Sequence, residues 1–299
     1  MKKNALIIGY GSIGKRHHKI LKKLNYFKKI FIQSKRNLLI KDKTVLIKNL
    51  KEAKDKDIAY IVVASRTEDH LIHIKEIEKY YKNLNILVEK PIFEKFLNIN
   101  VKKNKYFVGY NLRFHPIILY LKKYLENKKI VFFDIKCTSF LPCWRKKNKY
   151  FKSNSSGNGG GALLELSHEV DYAQLIFGTI KKINYSAVDK ISSLKVKKDD
   201  IVVFNGKSIR SKFSIHLNLF SHYKERKIIV YLERLTIISD LIKNEILFYK
   251  NHKIIKKINF KIQSNDTYIK QHKVTFLGKN NCNFKRNLNF MKLIDNIKK

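Results

Sequence analysis

The chain opens on a short apolar run, Ala5-Leu6-Ile7-Ile8, that stops at Gly9-Tyr10-Gly11-Ser12-Ile13-Gly14. A run this short, bounded by glycine, predicts a buried strand. Ile13, His17, Ile20, Leu21 and Leu24 then recur at three- and four-residue steps, which puts them on one face of a helix. Ile30-Phe31-Ile32 closes a strand-helix-strand unit, and 44–47 reads as a short third strand. A clear buried strand follows at 58–63, and it opens into a polar loop, Ala64-Ser65-Arg66-Thr67-Glu68-Asp69-His70, that enters a helix running to about Lys79. The next strand, 85–88, ends on Glu89-Lys90-Pro91, and a further one at 106–110 leads into Asn111-Leu112-Arg113-Phe114-His115-Pro116. This alternation predicts an α/β unit with a mostly parallel sheet.

The texture changes at Pro116. A helix over 117–125 precedes a strand at 131–138 and a loop carrying Trp144-Arg145 and Gly157-Asn158-Gly159-Gly160-Gly161. One strong helix is expected over 162–177. Strands follow at 182–188, 201–205, 212–219, 226–232 and 245–249 without intervening helices, and the last residues, 285–297, read as helical. Successive strands without crossovers argue for an antiparallel sheet. Two domains are therefore expected, 1–116 and 117–299, the second an α+β domain with a mostly antiparallel open sheet.

The three glycines carry the first chemistry. In a G-x-G-x-x-G turn the first glycine makes the tight turn and the second lets a pyrophosphate approach the backbone. The third lets helix and strand pack closely. The helix start at Ser12 and Ile13 then offers free N–H groups and a positive dipole end to the anion. Placed between a strand and a helix, the motif points to a Rossmann domain binding a dinucleotide, against a turn kept only for packing. The second strand ends on Gln33-Ser34-Lys35-Arg36, where an NAD-binding unit usually has an acidic residue for the ribose 2′-hydroxyl. Ser34 and Arg36 suit a 2′-phosphate instead, so NADP is expected, with NAD as the other choice. A solvated basic loop is the plainer reading of the same residues.

Loops at the carboxyl ends of parallel strands face the ligand. That places Ala64, Ser65, Arg66 and His70, and also Glu89 and Lys90, among candidate cofactor or substrate residues, although a lone lysine at a strand end is more often simply on the surface. In the helix at 162–177, Leu163, Leu166, Val170, Ala173 and Phe177 share one face, with Glu165, His168, Asp171 and Tyr172 roughly opposite. So apolar a helix should be buried, with its polar stripe toward a cavity. Glu165 and His168, three apart, are adjacent on that stripe. They read equally well as acid/base machinery or as a satisfied core histidine beside a carboxylate.

Composition changes this picture little. The net charge of +40 raises nucleic acid or an anionic membrane as partners. The lysines are spread along the whole chain, with abundant Asn, Ile, Tyr and Phe, which is the signature of an AT-rich coding sequence. No arginine-rich arm or aromatic-basic motif appears, and the apolar runs fall far short of a membrane span. Met1-Lys2-Lys3 with the run after it is read as the first strand rather than a leader. Neither nucleic acid nor membrane is expected as a partner. Three cysteines without a C-x-x-C or ligand cluster suggest reduced thiols in the cytoplasm and no metal.

Taken together these motifs resemble the glucose-fructose oxidoreductase / inositol dehydrogenase family, Gfo/Idh/MocA. The resemblance rests on Gly9–Gly14, on Glu89-Lys90-Pro91, on Arg113-Phe114-His115-Pro116, on Trp144-Arg145, and on the stretch from Gly159 through Glu165 and His168 to Asp171. It covers nearly the whole chain. It implies an NAD(P)-dependent oxidoreductase of a sugar or polyol, in which Lys90 binds the reacting hydroxyl near the nicotinamide and His168 is the general acid/base. Glu165 takes the place of an aspartate, and this chain departs twice there: Glu replaces Asp, and it stands three rather than four residues before the histidine. Arg113, Glu165, Lys90 and His168 are the implied substrate residues. Trp144 and Arg145 match a segment reaching over the cofactor. The resemblance also implies a homo-oligomer, dimer or tetramer, and suggests surface-glycan synthesis. Two alternatives stand beside it: a non-sugar substrate such as an imine or bilin, and a nucleotide-sensing protein without turnover. Arg145-Lys146-Lys147-Asn148-Lys149 offers a basic loop for an anionic sugar.

Overall fold

The computed structural model describes residues 3–34, 43–144, 150, 157 and 159–299. They form two compact units, one of Met1–Asn111 with Asn265–Met291, the other of Leu112–Ser264 with Lys292–Lys299. The division expected at Pro116 is therefore not a single cut, because a late segment returns to the first unit.

The first unit is built on a parallel sheet ordered β3-β2-β1-β4-β5-β6. Its strands are β1 (Asn4–Ile8), β2 (Ile30–Gln33), β3 (Thr44–Ile47), β4 (Ile58–Val63), β5 (Asn85–Val88) and β6 (Lys105–Val108). The order reverses between β1 and β4, which are paired from Ala5↔Tyr60 to Ile8↔Val63. Ala5, Leu6, Ile7, Ile61, Val62 and Val63 are all fully buried. Strands covered on both faces read as unbroken apolar runs, which is why these were visible in the sequence. Helices α1 (Ser12–Leu24) and α2 (His70–Tyr80) provide crossovers.

A further helix, α6 (Asp266–Phe276), belongs to this unit and was not expected. Its buried residues are Thr267, Gln271, His272 and Thr275, all polar, so no apolar stripe announced it. Phe276 and His272 pack against Tyr60, and Phe276 also meets Phe27 edge-on at 5.3 Å between ring centroids.

The second unit holds an eight-stranded sheet ordered β14-β13-β12-β11-β7-β10-β9-β8. The strands are β7 (Phe132–Phe140), β8 (Ile180–Asp189), β9 (Ile201–Ser208), β10 (Lys212–Asn218), β11 (Phe220–Leu232), β12 (Leu235–Asp240), β13 (Glu245–Lys250) and β14 (Lys253–Asn259). All neighbours are antiparallel except β7 and β10. Alternate residues such as Phe133, Ile135, Phe204, Phe213 and Ile215 are buried. Three helices lie in this unit, α3 (Pro116–Tyr124), α4 (Ala162–Glu165) and α5 (Ser167–Phe177). Phe177 of α5 stacks on Phe133 with ring centroids 3.7 Å apart. The chain closes on α7 (Phe284–Ile297).

The single helix expected over 162–177 is in fact α4 and α5, broken at Leu166, whose φ is −98° and ψ 21°. Ser167 Oγ donates to the Leu164 carbonyl at 2.8 Å and fills an acceptor at the break. A hydroxyl that competes for a helical carbonyl in this way is invisible to apolar periodicity.

Candidate active site

The glycine turn has the geometry its three residues predict. Gly9 sits at φ +91°, and a Cβ there would lie 2.7 Å from the Ser65 backbone. A Cβ on Gly14 would lie 2.2 Å from the Gly9 carbonyl oxygen, so α1 packs against the turn with no room for a methyl. Gly11 differs from both: a Cβ there would meet nothing within 4 Å. Packing does not require glycine at that position, while close approach of a phosphate to the backbone does. Gly11 caps α1 without a side-chain hydrogen bond, and α1 has no acidic residue in its first turn. Gly11 and Ser12 are exposed and Ile13 is half-buried. The open N–H groups and the positive helix end form a cradle that fits a pyrophosphate.

Backbone bonds just past the strands align the rest of this edge. Gly9 N–H donates to Gln33, Ala64 N–H to Ile8, Glu89 N–H to Val63 and Gly109 N–H to Val88, at 2.8–3.0 Å. The glycine turn, the Ala64-Ser65-Arg66 loop and Glu89-Lys90 therefore share the carboxyl edge of one sheet, at its switch point. Ser34 follows β2 on the same edge and is half-buried; Arg36 lies outside the described residues. Ser65 is half-buried with its hydroxyl 2.9 Å from His73 Nδ1, and Arg66 is exposed and pairs with Glu68 at 3.3 Å.

His70 is placed differently from the expectation. It is 1% exposed, so it presents almost no surface to a bound nucleotide. Its Nδ1 bonds the Ile92 carbonyl at 3.0 Å, and burial pushes its pKa down. Burial as the first residue of α2 turned it inward.

Lys90 is half-buried, and its peptide bond to Pro91 is cis. Glu89 is 8% exposed. Its Oε1 is 2.9 Å from His17 Nε2, and its Oε2 accepts the Lys90 N–H at 3.3 Å. The carboxylate expected to bind cofactor is thus held by a protein partner. Periodicity had placed His17 on the core face of α1. That is where it lies, as a buried polar residue.

In the second unit, Gly161 opens α4 at φ +96°, where a Cβ would approach Asp199 Oδ1 to 2.5 Å. Asp199 accepts the Leu163 N–H at 2.7 Å and its backbone carbonyl accepts that of Ala162 at 2.8 Å, which fixes the start of α4. Burial raises the Asp199 pKa. Nothing in the sequence pointed to this cap from so far along the chain.

Glu165 ends α4, and His168 is the second residue of α5. Both are half-buried. The other two members of the expected polar stripe are core groups rather than cavity groups. Tyr172 is fully buried, and Asp171 is 3% exposed and ion-paired. Arg113 is its partner: Nε and Nη2 donate to the two Asp171 oxygens, and the arginine is 3% exposed. Arg113, expected to bind substrate, is instead placed to hold α5. Glu169, between His168 and Asp171 in the chain and fully buried, pairs with Arg226 of β11 at 2.8 Å. Trp144 is half-buried after β7, with its Nε1 donating to Ser139 Oγ at 2.7 Å; Arg145 and the rest of the basic loop 145–149 lie outside the described residues. Among the described residues no group of three His, Cys, Asp or Glu could hold a metal ion, and no helix is long and apolar enough to cross a membrane.

Residues 3–103 match the model of the family described as "Oxidoreductase family, NAD-binding Rossmann fold", GFO_IDH_MocA. No curated protein matches the chain in sequence. Among solved structures, a levoglucosan dehydrogenase in complex with NADH and L-sorbose is similar at a TM-score of 0.81 and 15% identity, over 99% of this chain and 96% of that one. UDP-N-acetylglucosamine 3-dehydrogenase GnnA from Acidithiobacillus ferrooxidans is similar at 0.74 and 10% identity, over 99% and 96%. The WlbA dehydrogenase from Bordetella pertussis, in complex with NADH and UDP-GlcNAcA, is similar at 0.75 and 14% identity, over 100% and 96%. At such identities these likenesses establish the fold.

Proposed function

We propose that the chain, whose residues 3–103 match the NAD-binding model of the Gfo/Idh/MocA oxidoreductases, transfers a hydride between a nicotinamide dinucleotide and a secondary alcohol or ketone of a sugar, sugar derivative or polyol. The observation that carries this reading is the uncapped start of α1 beneath Gly11, open at the switch point of a parallel sheet. Gly9, Gly11, Ser12, Ile13 and Gly14 would hold the pyrophosphate, with Ser34, Ala64, Ser65 and Arg66 along the same edge, and Arg36, two residues past Ser34 in the chain, would serve the 2′-phosphate. When bound, the nicotinamide supplies the hydride acceptor or donor at its C4.

In this reading Lys90 binds the reacting oxygen and stabilises the negative charge that develops on it. His168 takes the hydroxyl proton as the carbonyl forms, and returns it in the reverse direction, with Glu165, three residues before it at the end of α4, contributing to substrate binding. NADP is the preferred cofactor, because Gln33-Ser34-Lys35-Arg36 offers a hydroxyl and two cations and no carboxylate. The charge of +40 favours an anionic substrate through long-range steering, and a nucleotide sugar has that character. The UDP-sugar enzymes among the similar structures agree with this choice. A cytoplasmic homo-oligomer acting in surface-glycan synthesis completes the proposal.

The experiment is a fluorescence titration of the pure protein with NADPH and NADH. Binding with NADPH the tighter ligand is the expected result. NADH binding tighter by about tenfold or more, roughly 1.4 kcal/mol, would overturn the preference for NADP.

A further inference from the structure

The first unit contains a buried chain of hydrogen bonds that the proposed chemistry does not use. Tyr60 Oη lies 3.0 Å from His272 Nδ1, His272 Nε2 lies 2.8 Å from His17 Nδ1, and His17 Nε2 lies 2.9 Å from Glu89 Oε1. Tyr60 and His17 are fully buried, and His272 is 1% exposed. Four elements meet here: β4 gives Tyr60, α6 gives His272, α1 gives His17, and the end of β5 leads to Glu89.

The donors and acceptors run in one direction. A carboxylate only accepts, so His17 carries its proton on Nε2 and donates to Glu89. In the neutral ring its Nδ1 accepts the His272 Nε2–H, and His272 Nδ1 accepts from the Tyr60 hydroxyl. Burial above all holds the His272 pKa well below the ordinary histidine value, which keeps that ring neutral. Thr275 bonds the Tyr60 hydroxyl, and Asn280 Nδ2 in turn donates to Thr275 Oγ1 at 2.9 Å. The far end therefore closes inside the core, and the chain is no proton path to solvent. Its one charged end is Glu89.

Glu89 is fixed from three sides. His17 holds Oε1, and the Lys90 N–H reaches Oε2. Gly109, just past β6, leaves the carboxylate no slack: a Cβ there would come within 2.9 Å of Oε1. The helix that starts at the glycine cradle is thereby tied, through one imidazole, to the residue preceding Lys90.

We propose that His17 is a positioning residue, which holds the Glu89 carboxylate in place and through it sets the environment of Lys90. The inference rests on Lys90 being the substrate-binding lysine of the proposed function. Its test is read without cofactor, substrate or turnover. The full-length protein is labelled with trace acetic anhydride, and peptide mass spectrometry gives the Lys90 rate relative to the exposed lysines.

His17→Leu and Glu89→Gln each shift that ratio by about threefold or more, and the double variant shifts it no further than the larger single change, because both act through one bond. His17→Gln, which restores an N–H toward Glu89, returns the ratio to within about twofold of native. Tyr60→Phe, at the closed end, leaves it unchanged. A native ratio in His17→Leu, or additive shifts in the double variant, overturns the proposal. If His17→Leu does not fold, nitrogen NMR of the native histidines decides: a proton on His17 Nε2 supports it, and an Nε2 without a proton, unable to donate to Glu89, refutes it. Should these shifts appear while Lys90→Met leaves turnover intact, the role of Lys90 fails and the positioning by His17 stands.

Discussion

Arg113 spends Nε and Nη2 on the two oxygens of Asp171, at 2.7 and 2.5 Å, with both side chains almost entirely out of water. A guanidinium so engaged is a strut between the residues before α3 and the helix that carries His168. Removing one partner leaves the other charge buried and unpaired, which costs about 3–5 kcal/mol. Arg113→Leu should lower the urea midpoint accordingly. The double change Arg113→Leu with Asp171→Leu should recover much of the loss, since no charge is then stranded. Equal midpoints for Arg113→Leu and the native protein would show that the strut carries no load.

The three glycines should separate in their effects. Gly14→Ala puts a methyl 2.2 Å from a carbonyl oxygen, and Gly9→Ala forces a side chain into a positive φ against Ser65, so both should destabilise the fold. Gly11→Ala meets nothing in the protein. It should keep the native melting temperature and weaken NADPH binding by about tenfold or more. Undiminished binding by Gly11→Ala would remove the phosphate from that position.

Acid should destabilise the first unit through its buried histidines. Burial lowers the pKa of both His70 and His272. The unfolded chain then binds protons that the folded one refuses. Stability is fully present above the unfolded histidine value of about 6.5, and it is lost as pH falls from there toward the folded values. Denaturant midpoints should drop between neutral pH and the mildly acid range. The strong positive charge of the chain adds a repulsion of its own, so the informative comparison is His272→Gln. That variant should be less stable at neutral pH and less sensitive to acid, whereas an unchanged slope would exclude His272 as a source.

Thiol chemistry should distinguish the three cysteines. Cys143 is exposed, while Cys137 and Cys282 are buried. Burial, with Glu169 nearby, pushes the Cys137 thiol up to about 12 despite the opposing Arg226. A thiolate is the reactive form, so Cys137 should be inert in the folded protein. A disulfide reagent should consume one thiol quickly and the others only after unfolding. Loss of the fast phase in Cys143→Ser would assign it.

The sequence was most readable where one kind of pattern sufficed. The runs at Ala5–Ile8 and 58–63 belong to strands covered on both faces, so continuous apolarity was enough to find them. The glycine spacing found its turn because each position answers to a separate steric demand. Pattern reading placed His17 on the core face of α1 but missed other sites where polar residues pack. Helix α6 buries Thr267, Gln271, His272 and Thr275, which periodicity counts as a solvated face. At the break at Leu166 the Ser167 hydroxyl takes up a helical carbonyl, and buried His70 bonds a carbonyl 22 residues away, contacts that no local pattern records. Arg113 was assigned to substrate by resemblance, and its bond to Asp171, 58 residues further on, had no local signal. Among the candidate site residues, identity was legible from motif, but the distinction between holding a ligand and holding the protein was not.

The central claim is that this protein moves a hydride to or from a sugar, with Lys90 and His168 acting on the substrate. The direct measurement is absorbance of reduced nicotinamide while the protein is offered NADP or NAD, oxidised and reduced, with a panel of free sugars, nucleotide sugars and sugar acids. Turnover with at least one sugar, lowered by about a hundredfold or more in Lys90→Met and in His168→Ala while NADPH still binds, is the predicted result. Native turnover in both variants would contradict the assignment, and tight cofactor binding without turnover of any sugar would contradict the function.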